Sequence, residues 1–266
     1  MGQSRTEFDV DDTGIVTLTL NNPDTRNALD RPICEDLHAA FDRIENDDSL
    51  AHVRCVILTG ANGAFCSGVY LDPRLFSDPD FSLDDNVPAE LTFGLAHKLR
   101  NCRVPVVAAV EGGVAGAGTS IVMACDFAVA SDTASISLAF VARGLVPDLG
   151  ATAMLAEKLG RSGAMKFALT RDKVSATEAL DLGLVQEVTA PEALHDTVLS
   201  YARKIAKFPP LAVAGTKRLL WAAADTPFAE QLEQERIEQD LLGQSEDFQE
   251  SVAAFLEKRK PQFKGR

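Results

Sequence analysis

The sequence predicts an α/β fold, because apolar segments with the length of strands alternate with amphipathic helices over most of the chain. Ile15 to Leu20 alternates apolar residues with threonine, while Val53 to Leu58 and Val106 to Val110 are short apolar runs. Leu29 to Ile44 repeats apolar residues at helical spacing. Strands that are apolar on both faces are typical of parallel sheets covered by helices.

The remaining elements follow in order along the chain. Residues 72–88 are rich in Asp, Ser and Pro and predict an exposed loop, followed by a helix to about Cys102. A glycine-rich turn then leads to a helix over 118–125, a strand at Phe127 to Ala130, and a capping box at Ser175 to Glu178.

From about residue 191 the sequence predicts only helices, at 191–207, 209–224, 226–243 and 246–259. The last two carry many charges and one narrow apolar stripe each, which favours burial of the stripe against another subunit. We therefore divide the chain into a core at 1–200 and a C-terminal helical region at 201–266.

The overall charge excludes one class of partner. Lys and Arg number 26 and Asp and Glu number 39, so the net charge is 26 − 39 = −13. An acidic chain repels phosphate backbones, and we expect no nucleic-acid partner. No apolar stretch approaches the ~20 residues of a membrane-spanning helix, and the first residues are polar. We expect a soluble cytoplasmic protein without a membrane partner.

The cysteines and histidines predict neither disulfides nor a metal site. The five cysteines are widely spaced and form no C-x-x-C pair; they are Cys34, Cys55, Cys66, Cys102 and Cys125. This pattern favours buried thiols in a protein of a reducing compartment. The four histidines share no spacing typical of metal ligands; they are His38, His52, His97 and His195.

The glycine-rich turn after Val106–Val110 has three interpretations. A dinucleotide site fails, because no G-x-G-x-x-G can be placed on the glycines of 112–118. The glycines could serve only tight strand–helix packing. Alternatively, small residues let a ligand oxygen approach the amides at the start of the following helix. A second donor for such an oxyanion hole would come from Ala64 to Gly68, which also ends in glycine.

Two segments together carry a resemblance to a known family. Val53 to Gly68, ending in A-F-C-S-G, and Pro105 to Gly118, ending in G-G-V-A-G-A-G, resemble the two signatures of the crotonase (enoyl-CoA hydratase/isomerase) family. Further similar stretches, in family order, are 22–29, 144–148, 169–185 and 254–263. The resemblance implies a ClpP-like spiral of ββα units with a C-terminal helical trimerisation region. It also implies a homotrimer or dimer of trimers.

The resemblance also implies an acyl-CoA substrate, with coenzyme A as part of the substrate and no separate cofactor. It assigns the oxyanion donors to the backbone N–H groups of Ser67 and Ala117 and places Lys258 of a neighbouring subunit near the nucleotide. On the residues alone, Lys258 is equally well a solvated helix end. The other residues that it assigns to substrate or CoA binding are Arg26, Ala28, Leu29, Gly68, Tyr70, Leu71, Gly116, Ser120, Phe140 and Phe255.

The two glutamates of family hydratases are absent at the matching positions. Ser120 and Phe140 stand there, and neither side chain exchanges protons at neutral pH as a carboxylate does. Asp148, in the P-D-L-G turn, is the remaining carboxylate at a family-active position. The nearest pattern is the 1,2-epoxyphenylacetyl-CoA isomerase-like branch, from which the chain departs by having Tyr70 in place of an aspartate; Asp72 lies two positions on.

The sequence thus favours an enoyl-CoA isomerase in which Asp148 acts as acid and base. Without the resemblance, an Asp after Pro and just before a helix starting near Ala151 is an ordinary turn or N-cap residue, and that interpretation would be favoured. Two other activities remain open, in which Asp148 attacks the thioester as a nucleophile or hydration proceeds without the paired glutamates. A third possibility is a protein that binds acyl-CoA without catalysis.

Overall fold

The computed structural model describes residues 4–170 and 173–266 and confirms the α/β class. Residues 171 and 172, within the family-like stretch 169–185, lie outside the described part. The strands are β1 (Thr6–Val10), β2 (Ile15–Leu20), β3 (Cys55–Gly60), β4 (Ala64–Cys66), β5 (Val106–Val110), β6 (Gly113–Ala115), β7 (Phe127–Ser131), β8 (Ser135–Ser137), β9 (Val174–Ser175) and β10 (Glu187–Thr189).

The larger sheet has six strands in the order β1-β2-β3-β5-β7-β10. β1 pairs antiparallel with β2, and every other pair in this sheet is parallel. The predicted strands at 15–20, 53–58, 106–110 and 127–130 all lie in it, although β3 begins two residues later than expected.

The smaller sheet, in the order β4-β6-β8-β9, is consistent with the ββα units that the resemblance implied, but the residue pattern did not predict its strands. Its strands have two or three residues, which is too short for a periodic pattern to be visible. Each of β4, β6 and β8 follows a strand of the larger sheet, so the two sheets are built together as the chain advances. β4 and β6 lead directly into the turns that form the candidate site.

The helices are α1 (Arg31–Asn46), α2 (Arg74–Ser77), α3 (Leu83–Asn86), α4 (Ala89–Asn101), α5 (Ala117–Ala124), α6 (Ala151–Thr170), α7 (Ala176–Asp181), α8 (Pro191–Ile205), α9 (Pro210–Ala222), α10 (Phe228–Leu242) and α11 (Glu246–Glu257). α6 is interrupted at Gly160. The predicted loop at 72–88 was wrong in part, because it contains α2 and α3, and α3 begins with a capping box between Ser82 and Asp85. The capping box at Ser175 is confirmed.

The larger sheet is covered by helices on both faces, as its apolar strands predicted. On one face, α1 buries the side chains that recur at helical spacing, and the Asp30 carboxylate caps it by accepting the Ile33 N–H at 3.0 Å. On the other face, α8 packs Leu194, Val198 and Ala202 against the sheet. α8 continues across residue 200, where the sequence analysis divides the chain.

A buried ion pair attaches α9 to the core. The Lys217 ammonium is 2.8 Å from the Asp126 carboxylate and donates to the carbonyls of Leu99 and Val104. The Asp126 carboxylate also accepts the Trp221 indole N–H at 2.7 Å. Because all these groups have partners, the charges are satisfied inside the protein.

α10 and α11 leave large apolar side chains exposed, among them Phe228, Leu241, Phe255 and Leu256. This agrees with the expected narrow apolar stripes, while the trimer itself stays a prediction. All five cysteines are buried free thiols, as predicted. Within residues 4–170 and 173–266, no helix has both the length and the apolar character needed to cross a bilayer.

Candidate active site

A cavity of about 410 Å³ lies where β4, α5 and the loop before α6 meet, and we call it the acyl cavity. Its walls come from the turn after β4, the 72–88 segment, α4, the start of α5 and the loop 138–148. Residues on these walls include Ser67, Gly68, Val69, Leu71, Leu83, Val87, Phe93, Gly116, Ala117, Leu138, Phe140, Leu145, Val146 and Asp148. Most of these side chains are hydrocarbon, so the cavity suits an apolar ligand.

Glycines bring the turn after β4 close to the start of α5. A Cβ atom at Gly118 would lie 2.5 Å from the Cys66 carbonyl oxygen, so only glycine permits this contact. Gly68 has φ +100°, and its Cβ would lie 2.9 Å from the Ala115 carbonyl oxygen and 3.7 Å from the Ala117 nitrogen. Gly68 therefore sets the distance between the two segments that were expected to supply the oxyanion donors.

The Ala117 N–H, which the resemblance assigns as an oxyanion donor, lies at the wall of the acyl cavity. Ala117 is the first residue of α5, and Gly116 at the N-cap has φ 54° and ψ −126°. The amides of a first helical turn have no intrahelical acceptor, and they carry the positive end of the helix dipole. Among the described residues, the Ala117 N–H has no hydrogen-bond partner. Its amide is thus available to a ligand in the acyl cavity.

The structure contradicts the assignment of the second donor to Ser67. The Ser67 N–H donates to the Arg26 carbonyl at 3.1 Å, and the Ser67 hydroxyl donates to the Thr25 carbonyl at 2.7 Å. Because both donors are already used to hold the turn, they are not free for a ligand. Ser67 lines the cavity, but its amide is a structural group.

Val69 supplies a free amide at the same turn. Leu29 donates to the Gly68 carbonyl at 2.8 Å and accepts the Tyr70 N–H at 3.0 Å, which is a parallel bridge opposite Val69. In such a bridge the N–H of the intervening residue points away from the partner strand. Val69 lines the acyl cavity, and its N–H has no partner within residues 4–170 and 173–266. Val69 and Ala117 are therefore the donor pair that the geometry supports.

Asp148 lies on the cavity wall as a half-buried carboxylate. Its Oδ1 atom is buried, and no hydrogen-bond partner for it exists in the described chain. Burial raises the pKa of this carboxyl from its ordinary value of 3.8 to about 6. The N-cap alternative is not observed, because the Ala151 N–H bonds to the Asp148 main-chain carbonyl at 2.9 Å and not to the side chain.

The two positions that matched the hydratase glutamates lie in apolar surroundings. Phe140 lines the cavity and is buried, and its ring would lie 3.9 Å from a Cβ atom at Gly116. Ser120 is fully buried inside α5 and does not line the cavity, so its assignment to substrate binding stays a prediction. The Ser120 hydroxyl has no acceptor or donor partner among the described residues.

Tyr70 was also expected in the pocket, but the structure does not place it on the cavity wall. Side chains alternate along an extended segment, so Val69 and Leu71 face the cavity and Tyr70 faces the other way. Asp72 does not replace the missing aspartate, because its carboxylate makes two hydrogen bonds to the Arg74 guanidinium, at 3.0 and 2.9 Å.

A second cleft of about 300 Å³ shares Ser67 and Ala115 with the acyl cavity. Arg26, predicted to lie near CoA, is on its wall together with Lys173, which the sequence analysis missed. Ala28 and Leu29 are buried, so their side chains serve the core. Phe255 on α11 and Lys258 at its C-terminal cap are exposed and line neither of these two cavities. Their role in a neighbouring subunit stays a prediction.

Three comparisons relate this site to known proteins. A family model described as enoyl-CoA hydratase/isomerase matches residues 11–266. The chain is 35% identical over 254 residues to the 1,2-epoxyphenylacetyl-CoA isomerase of Escherichia coli, covering 95% of this chain and 96% of that protein. It is 33% identical over 252 residues to the 2,3-dehydroadipyl-CoA hydratase of Escherichia coli, again covering 95% of this chain and 96% of that protein. A crystal structure of enoyl-CoA hydratase from Bacillus anthracis matches with a TM-score of 0.91 at 28% identity, covering 98% of this chain and 100% of that one.

Proposed function

Because the chain belongs to the enoyl-CoA hydratase/isomerase family, we propose that it moves a carbon–carbon double bond within an acyl-CoA thioester. The observation that carries this proposal is the Asp148 carboxylate, whose Oδ1 lacks a partner in the described chain and which faces a cavity with mainly hydrocarbon walls. A buried carboxylate without a partner is destabilised, and such groups are frequently those that exchange protons with a substrate.

In the proposed reaction the thioester oxygen lies between the N–H groups of Val69 and Ala117. Asp148 removes a proton from C2 of a 3-enoyl thioester, and the electron pair spreads over the dienolate from the thioester oxygen to C4. The two amides stabilise the negative charge on that oxygen. Asp148 then returns the proton to C4, which leaves the double bond between C2 and C3. Each such amide is worth on the order of 10²–10³ in rate.

The raised pKa of Asp148 suits this double task. With a pKa of about 6, the carboxyl is mostly ionised at pH 7 and so can accept a proton. The protonated carboxyl is nevertheless a far stronger proton donor than water, and this favours return of the proton to C4. One group can perform both steps, because a 1,3-shift removes one proton and returns one, and a proton held on the Asp148 carboxyl exchanges with solvent between the two steps.

Hydration would need further groups that the cavity lacks. Water must be held and deprotonated while a second acid protonates C2, and the paired carboxylates for this are replaced by Ser120 and Phe140. The compared relatives include an isomerase and a hydratase at similar identity, so similarity alone does not choose between the reactions. The composition of the cavity wall favours the isomerase.

The cleft with Arg26 and Lys173 supports the CoA part of the proposal. These two cations lie in a chain with a net charge of −13, and the cleft shares Ser67 and Ala115 with the acyl cavity, beside the proposed thioester position. A ligand that is anionic at one end and apolar at the other would occupy both cavities. Acyl-CoA has this polarity, with its phosphates remote from the acyl chain.

The experiment that tests the proposal is incubation of 3-enoyl-CoA and 2-enoyl-CoA in D₂O with the wild type and Asp148→Asn. The wild type should move the double bond and exchange deuterium at C2 and C4, and the variant should lose at least 10³ in rate while still binding. Hydration at a rate comparable with isomerisation would contradict the proposal. Binding without turnover would favour a non-catalytic protein, and a trapped aspartyl adduct would favour nucleophilic attack by Asp148.

A further inference from the structure

We infer that the acyl cavity accepts acyl groups whose far end is an uncharged hydrocarbon, aliphatic or aromatic, and rejects acyl groups that end in a carboxylate. This inference rests on the proposed function, because it takes the thioester to lie beside Val69 and Ala117. It adds a substrate class, which the proposed reaction leaves open.

The floor of the acyl cavity carries no polar group that is free for a ligand among its described residues. Val87, Leu138 and Phe140 are nearly or fully buried there and present only carbon. Thr92 is the polar residue of the floor, and its hydroxyl donates to the Ala89 carbonyl at 3.2 Å within α4. An ionised carboxylate reaching this floor would lose its hydration without gaining a donor, which is strongly unfavourable.

Apart from Asp148, the charged side chains of the acyl cavity lie on its rim. Asp84 is exposed, and its carboxylate accepts the Ala89 N–H at 2.7 Å. Arg143 is exposed as well, and its guanidinium donates to the Ala139 carbonyl at 3.0 Å. Charges on an exposed rim are screened by water, so the single cation there attracts a distant carboxylate only weakly. The Asp84 carboxylate opposes even this attraction.

The remaining rim residues extend the hydrocarbon surface outward. Leu71, Leu83 and Phe93 come from the 72–88 segment and its flanks, and Leu145 and Val146 come from the loop before α6. All five are partly or largely exposed in the chain without ligand, with Leu83 and Phe93 each at 50%. A hydrocarbon tail would cover them, and each buried methylene should tighten binding about fourfold.

The test compares hexanoyl-CoA with adipyl-CoA, which have the same six-carbon chain and differ in a methyl or a carboxylate at its end. Both are saturated and therefore are not isomerised, so calorimetry reports binding alone. We expect hexanoyl-CoA to bind at least tenfold more tightly, and octanoyl-CoA, with two more methylenes, about sixteenfold more tightly again. Equal or tighter binding of adipyl-CoA would overturn the inference and leave the proposed reaction standing. Failure of all three to bind would overturn both.

Two substitutions place a cation in matched positions of the 72–88 segment. Leu83→Arg removes hydrocarbon from the cavity rim and adds a guanidinium there, so it should weaken hexanoyl-CoA binding relative to adipyl-CoA by about two- to threefold. Phe76→Arg lies on the same segment, is 79% exposed and does not line the cavity, so it should leave that ratio unchanged. Arg143→Gln should change the ratio less than twofold; selective loss of adipyl-CoA binding in this variant would show a carboxylate receptor and refute the inference.

Discussion

The half-buried carboxylate of Asp148, whose Oδ1 has no partner in the described chain, should make the protein less stable at neutral and alkaline pH than it would be without that charge. Burial raises the pKa of Asp148 from 3.8 to about 6, so the folded state resists ionisation of this group more than the unfolded chain does. Below about pH 4 both states are protonated and the effect is absent. As the pH rises towards 6 the unfolded state releases its proton first, and stability is lost; above the folded pKa the loss is constant.

The size of this effect follows from the two pKa values. A difference of about two units corresponds to about 3 kcal/mol, and partial contact of the carboxylate with solvent reduces this to about 1–2 kcal/mol. Asp148→Asn keeps the shape and removes the charge. The quantity to compare is the melting temperature of the variant minus that of the wild type. This difference should be about 3–6 °C larger at pH 8 than at pH 4.

The assay is thermal unfolding of both proteins, followed by circular dichroism from pH 4 to pH 8. The pH dependence of the difference is the informative quantity, because an amide without a partner has a constant cost at every pH. Asp80→Asn, at an exposed position of the 72–88 segment, is the control and should show no such dependence. A difference between Asp148→Asn and the wild type that does not change between pH 4 and pH 8 would refute the reasoning.

Three other predictions concern different parts of the chain. Gly68→Ala should lower kcat by about 10²–10³, because its methyl group would displace the turn from Ala115 and the α5 start; Gly63→Ala also has positive φ but meets open space, and it should keep kcat. Lys217→Met should cost about 3–5 kcal/mol in urea unfolding, because it leaves a buried carboxylate without its cation. Arg236→Met, which removes pairs with Glu233 and Asp240 that are exposed on both sides, should cost less than about 1 kcal/mol. Lys173→Gln should raise KM several-fold for a CoA thioester but not for the matching pantetheine thioester, and equal effects on both would contradict a phosphate contact.

Much of the fold could be predicted because the larger sheet and the long helices have strong periodic patterns. The family motifs, confirmed by the match over residues 11–266, supplied what periodicity does not, namely the connection between two distant glycine turns. The smaller sheet and the short helices α2 and α3 were missed, because segments of two to four residues are determined by their tertiary surroundings.

The candidate site was predicted to within a few residues, and the errors have a common physical origin. The motif located the turn after β4, but the choice between the amides of Ser67 and Val69 depends on which N–H the neighbouring strand uses. Arg26 and Leu29 decide this through their hydrogen bonds, and no sequence pattern shows them. Tyr70 was misplaced for a similar reason, since strand alternation is visible only once the register is known. For Asp148, burial and the missing partner come from tertiary packing.

Ser67 lies on the wall of both the acyl cavity and the cleft with Arg26 and Lys173. This shared position has a consequence for the length of the acyl chain that the protein can bind. In the proposed complex, a ligand that occupied both spaces would hold its carbonyl beside the amides of Val69 and Ala117, because Ser67 lines both cavities. Such a ligand could not slide along the site without moving its carbonyl away from the two amides. An acyl chain that is too long would therefore not be accommodated by an outward shift of the CoA part. With the thioester held at one place, the distance from it to Leu83 and Phe93 would determine which length of acyl chain the cavity covers.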